Sequence, residues 1–298
     1  MYNKMRIGYF TDGVWGHNAL KLLASDTDFD VRFIVPRFFS DDVIIKQLAD
    51  DYNIDYLKCA NINTEEFLRV ISQYNCDILV SMSFDQIFKP IILSQYKVIN
   101  CHAGKLPFYR GRNILNWVLI NDEKEFGITV HYVDQGIDTG DIILQRTYPI
   151  RDCDNYYTLL CKAHVECADV LYSALKKIKD GTATTIKQNT IHNVGMYCGK
   201  RQAGDEVINW DSTSRELFNF IRAICKPGPM ALTFLNQKPM YINASQIIEC
   251  SPIYVGIPGQ ILYKEGRNFI VKTKDSILKI TYYNYEGNIR IGDRLKNE

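Results

Sequence analysis

What most constrains this chain is an alternation in its first half, where short β-branched apolar runs are separated by stretches whose apolar residues recur at helical spacing. Arg6–Phe10, Val31–Val35, Ile54–Leu57, Ile78–Ser81 and Lys97–Asn100 read as strands, and Ala19–Ser25, Val43–Asp51 and Glu65–Tyr74 between them read as amphipathic helices. Strands joined through helices must cross over, so the pattern predicts a Rossmann-like, mostly parallel α/β sheet. A further strand pair, Ile128–Tyr132 and Ile142–Tyr148, brackets a loop rich in glycine and aspartate. The long helix beginning near Tyr156 ends in Lys176-Lys-Ile-Lys-Asp-Gly181, with cations at its negative end and a glycine where a left-handed cap belongs.

After Gly181 the pattern changes. Residues 182–201 show no clear period and read as a connector. Asp211-Ser212 is expected to cap a helix on which Leu217, Phe220, Ile221 and Ile224 share a face, and Cys225-Lys-Pro-Gly-Pro stops it because proline cannot continue a helix. Short strands follow at Leu232–Leu235, Met240–Ile248, Gly259–Tyr263, Phe269–Thr273 and Ile277–Tyr283, separated by turns. They predict a small C-terminal β-barrel of the OB-like type. The expected organisation is a Rossmann-like domain over 1–181, a connector over 182–204 and an OB-like barrel over 205–298.

Thirty-five basic residues against thirty-four acidic ones leave a net charge of +1, too balanced for a surface given over to nucleic acid or membrane. No apolar run approaches the roughly 18–20 residues of a membrane span, and the opening Met-Tyr-Asn-Lys-Met-Arg-Ile lacks the apolar stretch of a signal peptide. A soluble, cytoplasmic protein is expected. Nine scattered cysteines in 298 residues fit reduced thiols better than a disulfide framework. Their one cluster, Cys161-Lys-Ala-His164-Val-Glu-Cys167, puts Cys167 on the apolar face of the long helix and Cys161 to the side, so it reads as packing and not as a metal site.

The chemistry concentrates between Ile99 and Asp141. Asn100 and His102, two residues apart at the end of a predicted strand, face the same way at its carboxyl end, where open α/β sheets bind ligands. Asp138 lies in Asp134-Gln-Gly-Ile-Asp138-Thr-Gly-Asp141, a loop able to fold back over that edge, with Asp134 and Asp141 as turn-formers. An amide to donate to an oxyanion, an imidazole to carry a proton and a carboxylate to orient it are the parts that acyl transfer to an amine requires. Lys105, Arg110 and Arg112 add three cations to a window, Asn100–Asn121, that has no acidic residue, and the two arginines could fork onto a diphosphate. Gly8-Tyr-Phe-Thr-Asp-Gly13-Val-Trp-Gly16 matches neither the Walker loop nor the dinucleotide fingerprint, which removes the main support for NTP hydrolysis and hydride transfer. Tyr9 and Trp15 there are candidates either for stacking on a substrate ring or for the core and its rim.

Taken together, these residues resemble the 10-formyltetrahydrofolate-dependent formyltransferase family. Asn100-x-His102, Leu106-Pro-Phe-Tyr-Arg-Gly111, Gly127-Ile-Thr129 and Asp134-x-Gly-x-Asp-Thr-Gly-Asp141 carry the likeness, and Ile208-Asn-Trp210, Ile221-Arg-Ala223, Pro258-Gly259 and Gly292-Asp-Arg294 are similar to its appended barrel. Gly104-Lys-Leu-Pro107 departs from the Ser-Leu-Leu-Pro of most relatives. The run Arg110–Ile120 is most similar to the branch that formylates nucleotide-linked sugars. The methionyl-tRNA branch carries a basic insertion after the second strand, whereas Val31–Ala60 here has four basic residues against five acidic ones.

The resemblance implies transfer of a formyl group from 10-formyltetrahydrofolate to the amine of a nucleotide-linked amino sugar, such as a dTDP-amino-dideoxyhexose. That product would serve cell-surface glycans of the lipopolysaccharide O-antigen kind, and formylation of methionyl-tRNA is the alternative. It implies Asn100 at the oxyanion, His102 in proton transfer and Asp138 fixing the imidazole's tautomer. Folate contacts are implied at Ser83, Phe84, Asp85, Ile87, Leu106 and Asp134, and nucleotide-sugar contacts at Tyr9, Asp12, Lys105, Tyr109, Arg110, Arg112, Tyr197 and Arg201. A homodimer is implied, with no metal, nucleic-acid or membrane partner.

Overall fold

The computed structural model describes residues 4–297. In chain order the elements are β1 (Met5–Thr11), α1 (Gly13–Ser25), β2 (Phe29–Val35), α2 (Val43–Asp51), β3 (Asp55–Tyr56), α3 (Glu65–Ser72), β4 (Ile78–Met82), α4 (Pro90–Leu93), β5 (Val98–His102), β6 (Arg110–Gly111), α5 (Ile114–Ile120), β7 (Glu125–Tyr132) and β8 (Ile142–Pro149). They continue with α6 (Tyr156–Lys179), α7 (Gln188–Ile191), β9 (Tyr197–Cys198), α8 (Ser214–Ile224), β10 (Ala231–Leu235), β11 (Lys238–Ile247), β12 (Ile261–Glu265), β13 (Asn268–Lys272) and β14 (Ile277–Asn284). No helix among the described residues is long and apolar enough to cross a membrane.

Two compact units interleave along the chain. The first holds the amino-terminal part through Gly111, with Phe126–Tyr148 and Cys161–Cys198; the second holds Arg112–Glu125, Pro149–Leu160 and residues from Gly199 onward.

The first unit is built on a seven-stranded sheet in the order β3-β2-β1-β4-β5-β7-β8. β1 pairs in parallel with β2 and β4, and β4 with β5, whereas β7 runs antiparallel to β5. Thr11 lies opposite Met82 and Ser81 opposite Asn100, so Asp12, Ser83 and His102 end up along one carboxyl edge. The sheet holds its face through aromatic packing: the Phe10 ring meets Phe33, Phe67, Phe84 and Phe88 edge-on at 5.0–6.2 Å between centroids. Such pairs contribute about 0.5–1.5 kcal/mol each beyond their burial. Asp42 caps α2 by accepting from the Ile44 and Ile45 amides, and Thr64 caps α3 by accepting from Phe67. α1 begins at Gly13, earlier than the expected Ala19, because Gly13-Val-Trp-Gly16 are weak helix formers that hide its first turn.

The second unit carries an antiparallel five-stranded sheet in the order β10-β11-β14-β13-β12. Residues near the carboxyl end bridge both of its edges, Lys296 to Phe234 and Arg294 to Gln260, which bends the sheet toward the expected small barrel. Met240, Ile242, Ile261, Phe269, Val271, Leu278 and Ile280 fill its interior. The N-cap of α8 is Thr213, one residue past the expected Asp211-Ser212, because Thr213 and Glu216 close a reciprocal capping box. Arg215 of α8 ties together Asp122 and Asp152 with Nη2 contacts of 2.5 and 2.6 Å.

Candidate functional site

Alternation along β5 turns Asn100 and His102 to one side and Cys101 to the other, where its thiol donates to the Cys167 carbonyl at 3.5 Å. The antiparallel register sets Asn100 opposite His131 and His102 opposite Thr129. Asn100 Nδ2 is 3.4 Å from His131 Nε2. Asp138, from the loop between β7 and β8, is wedged between two imidazoles, with Oδ2 3.6 Å from His102 Nδ1 and Oδ1 3.5 Å from His131 Nε2. The Gly111 amide donates to Asp138 Oδ2 at 2.9 Å.

Each imidazole spends its outer nitrogen on a backbone carbonyl. His102 Nε2 lies 2.7 Å from the Tyr109 oxygen, and His131 Nδ1 lies 2.7 Å from the Tyr132 oxygen. A carbonyl only accepts, so both outer nitrogens carry hydrogens and both inner nitrogens face the carboxylate. The tautomer of His102 is therefore set by Tyr109, where the resemblance implied Asp138. Burial alone would raise the Asp138 carboxyl, but the charge that His102 and His131 bring once their inner nitrogens are also protonated, the hydrogen bond His131 then donates, and the Gly111 amide outweigh it and hold the group well below the usual carboxylate range.

The frame around these groups explains much of the motif. Thr129, fully buried, donates to the Gly104 carbonyl at 2.6 Å and accepts from Gln145 Nε2 at 2.8 Å, which pins the loop after β5. A Cβ on Gly104 would meet His102 Nε2 at 2.5 Å and the Tyr109 carbonyl at 2.6 Å, so glycine leaves room for the seat of this imidazole. A Cβ on Gly140 would stand 1.8 Å from the Tyr132 carbonyl, so only glycine lets the Asp138 loop close on β7. Asp138 itself adopts a left-handed backbone, φ +53°. Gln188 of α7 holds that conformation: its Nε2 donates to the carbonyls of Asp138 and Gly140 at 2.8 and 2.7 Å. Its Oε1 accepts from Arg110 Nε and Nη2 at 3.0 and 2.7 Å.

Several residues singled out in the sequence lie elsewhere. Tyr9 is fully buried, its hydroxyl 3.4 Å from the Gly16 carbonyl and its ionisation pushed up by burial, so it is core and not a substrate contact. Arg110 is turned inward, 6 % exposed, and spends its guanidinium on Gln188, the Val194 carbonyl and the Tyr197 hydroxyl. It cannot fork onto a diphosphate with Arg112, which is exposed and starts the stretch assigned to the second unit. The Leu106 side chain is core and its carbonyl is taken by Gln145 Nε2 at 2.9 Å, so neither is open to a folate. Asp134 accepts from Gly136 and Thr139 within its own loop, the turn-forming role read from the residues. Tyr109 contributes its carbonyl, and its ring is 6 % exposed. Arg201 donates to the Asp205 carbonyl at 2.6 Å and lies over the Phe220 ring, within the second unit.

The remaining candidates lie in the first unit. Ser83 has φ +57° and accepts from Arg37 at both its carbonyl and its hydroxyl, 2.9 Å each. Phe84 packs on Phe10, while Asp85 and Ile87 are exposed. Asp12 is 9 % exposed, with Oδ2 3.9 Å from Arg37 Nε. Lys105 is half-buried and Tyr197 exposed. Trp15 stands edge-on to His164 at 4.4 Å. No group of three or more His, Cys, Asp or Glu among the described residues is arranged to hold a metal ion.

Sequence reasoning missed two members of this site. His131 was legible, since it lies on the same face of its strand as Thr129, one residue before the end of the predicted strand that precedes the Asp138 loop. Gln188 had no signal, because it sits in the unpatterned connector, 78 residues from Arg110.

Two family models match the chain, Formyl transferase over residues 40–175 and Formyl transferase, C-terminal domain, over residues 200–292. A methionyl-tRNA formyltransferase of Caldanaerobacter subterraneus is 33% identical over 255 residues, covering 84% of this chain and 80% of its own. One from Pelotomaculum thermopropionicum is 34% identical over 229 residues, 76% and 71% of the two chains. Among solved structures, WlaRD, a sugar 3N-formyl transferase crystallised with dTDP and 5-N-formyl-THF, aligns over 99% of both chains with a TM-score of 0.70 at 23% identity. An N-formyltransferase from Helicobacter canadensis, in complex with folinic acid and dTDP-3-aminofucose, aligns over 95% of this chain and 100% of its own, with a TM-score of 0.69 at 23% identity.

Proposed function

This chain belongs to the formyltransferase family, and from that premise we propose that it transfers a formyl group from 10-formyltetrahydrofolate to the amine of a nucleotide-linked amino sugar. The observation that carries the chemistry is the convergence of Asn100, His102, His131 and Asp138 at one sheet edge, with inner contacts of 3.4–3.6 Å.

In this reading the uncharged amine attacks the formyl carbon and the carbonyl electrons move onto oxygen. Asn100, whose amide is steadied by His131, donates to that oxyanion through Nδ2. The attacking nitrogen then carries one proton too many. His102 Nδ1 and Asp138 Oδ2 face each other as two acceptors, and a proton entering between them turns that opposition into a hydrogen-bonded ion pair. Collapse of the adduct breaks the bond to folate N10, which takes a proton and leaves as the amine. Folate would lie along Ser83, Phe84, Asp85 and Ile87, a loop kept in place by Arg37 on Ser83, by Gln86 on Ile62 and Cys59, and by Asn63 on the Ile87 carbonyl.

A sugar nucleotide is favoured over tRNA by charge. Of the four cations in Val31–Ala60, Arg32 is paired with Asp30 at 3.0 Å, Lys58 donates to the Ser40 carbonyl, and Arg37 gives Nε and Nη2 to Ser83, keeping only one edge of its guanidinium open. That leaves little positive surface for an acceptor stem. The alignment over nearly the whole chain with two sugar N-formyltransferase structures supports the same choice, while the names of the sequence relatives keep tRNA as the rival. The test is a panel of dTDP-, UDP- and GDP-linked amino sugars, with methionyl-tRNA alongside, each incubated with 10-formyltetrahydrofolate and followed by product mass. Formylation of a sugar nucleotide that falls about 10²- to 10⁴-fold in His102→Ala is expected. Formylation of the tRNA alone would overturn the substrate assignment, and a fully active His102→Ala would overturn the site.

A further inference from the structure

The turn between β2 and α2 exposes an aromatic pair. Phe39 is 91 % exposed, and Phe38, 38 % exposed, meets it edge-on at 5.0 Å; Val43 and Ile44 extend the apolar face. Leaving such a ring in water forgoes its burial, and an exposed apolar cluster of this kind marks a binding surface. The turn is anchored on both sides of the rings. Arg37 donates Nε and Nη2 to Ser83, Lys58 holds the Ser40 carbonyl, and Asp42 accepts from the Gly13 amide at 2.8 Å and lies 2.6 Å from His17 Nε2. Arg37, although fixed, keeps a side chain 40 % exposed.

We propose that Phe38, Phe39 and Arg37 form the nucleoside-diphosphate subsite of this enzyme, the base stacking on Phe39 and the diphosphate taking the Arg37 guanidinium. The inference rests on the sugar-nucleotide reading above and deepens it. Position argues for it. β2 and β5 are separated by β1 and β4, so the turn stands three strand spacings, about 14 Å, along the carboxyl edge from Asn100. An amino sugar with its amine at Asn100 projects its diphosphate and nucleoside over a span of that order. Chemistry argues for it as well, because a flat ring beside a positioned guanidinium matches a ligand that joins an aromatic base to phosphates. A tRNA end would also stack, but five acidic residues against four basic ones in this segment oppose a polyanion.

The experiment is calorimetric titration of dTDP and UDP, with no sugar attached, into the parent, Phe39→Ala and Phe39→Tyr, together with KM for the amino-sugar nucleotide and for 10-formyltetrahydrofolate. Phe39→Ala should raise the nucleotide Kd and the sugar-nucleotide KM together, roughly 5- to 150-fold, with the folate KM unmoved, and Phe39→Tyr should restore them. Nucleotide affinity unchanged in a folded Phe39→Ala would overturn the subsite while leaving the sugar-nucleotide reading standing. A change confined to sedimentation would reassign the patch to self-association, and one confined to tRNA binding would reassign it to nucleic acid; either overturns the proposal. A parent that formylates no sugar nucleotide would instead remove the reading beneath it.

Discussion

Gln188 offers the sharpest test of how the site is held. Its side chain makes four hydrogen bonds inside the first unit, two accepted from the buried Arg110 and two donated to the carbonyls of Asp138 and Gly140. Gln188→Leu removes all four and leaves the Arg110 Nε and Nη2 groups without an acceptor. Arg110 keeps Val194 and Tyr197 but loses two charge-assisted hydrogen bonds at about 1.5–3 kcal/mol each, so the melting temperature should fall by roughly 6–24 °C. Gln188→Glu separates the two halves of the interaction. It keeps an acceptor for Arg110, now charge-assisted, but presents oxygen to two carbonyls that need a donor. The loss of two neutral hydrogen bonds, about 1–3 kcal/mol, is offset in part by the stronger pair with Arg110, so the fold should survive. Catalysis should not. With the clamp gone the loop bearing Asp138 shifts, and a displacement near 1 Å at a reacting group costs on the order of 10²-fold in rate. Gln188 is 2 % exposed and cannot touch either substrate, so the fall should appear in kcat with both KM values held. Steady-state formyl transfer and a thermal melt on both variants decide the matter. A Gln188→Glu enzyme that melts near the parent and turns over at its rate would refute the clamp.

Asn100→Ala should lower kcat by about 10²- to 10³-fold through loss of one oxyanion donor, read in the same transfer assay. His131→Phe, which fills the space but no longer accepts from Asn100 or faces Asp138, should lower kcat by roughly tenfold or more while leaving folate binding intact by titration. In the second unit, burial would raise the Asp122 carboxyl, but hydrogen bonds from Arg215 and Lys124 prevail and bring it to about 2. A carboxyl depressed in the folded state stabilises above its unfolded pKa of about 4 and loses that contribution as pH falls through the folded value. Acid melts of the parent should therefore steepen between about pH 4 and 2, and Asp122→Asn should flatten that window.

The strands of the sheet were legible because each is a short β-branched run whose ends the turn residues mark, and Asn100, His102 and Asp138 were legible because their chemistry is written in a compact motif. Other features were hidden for physical reasons. α5 shows no periodicity, since Ile114, Leu115, Asn116, Val118 and Leu119 are all buried and a helix apolar nearly all round has no face to reveal it. Arg110 looked like a phosphate ligand because a cation in a glycine-punctuated loop normally is solvent-facing. Its true partner is set by tertiary structure, through a glutamine in a segment with no pattern of its own. Once that partner is known, the motif Arg110-Gly111 acquires one coherent task. Arg110 acts on the Asp138 loop through Gln188, and Gly111 donates its amide to the Asp138 carboxylate directly. Both residues of the motif therefore converge on placing a single carboxylate between two imidazoles. Lysine at position 110 would keep the charge but lose the fork that spans Gln188, Val194 and Tyr197, so Arg110→Lys should resemble Gln188→Leu in stability and Gln188→Glu in kcat. Were Arg110 a substrate ligand instead, the same change would raise the sugar-nucleotide KM and spare the melt.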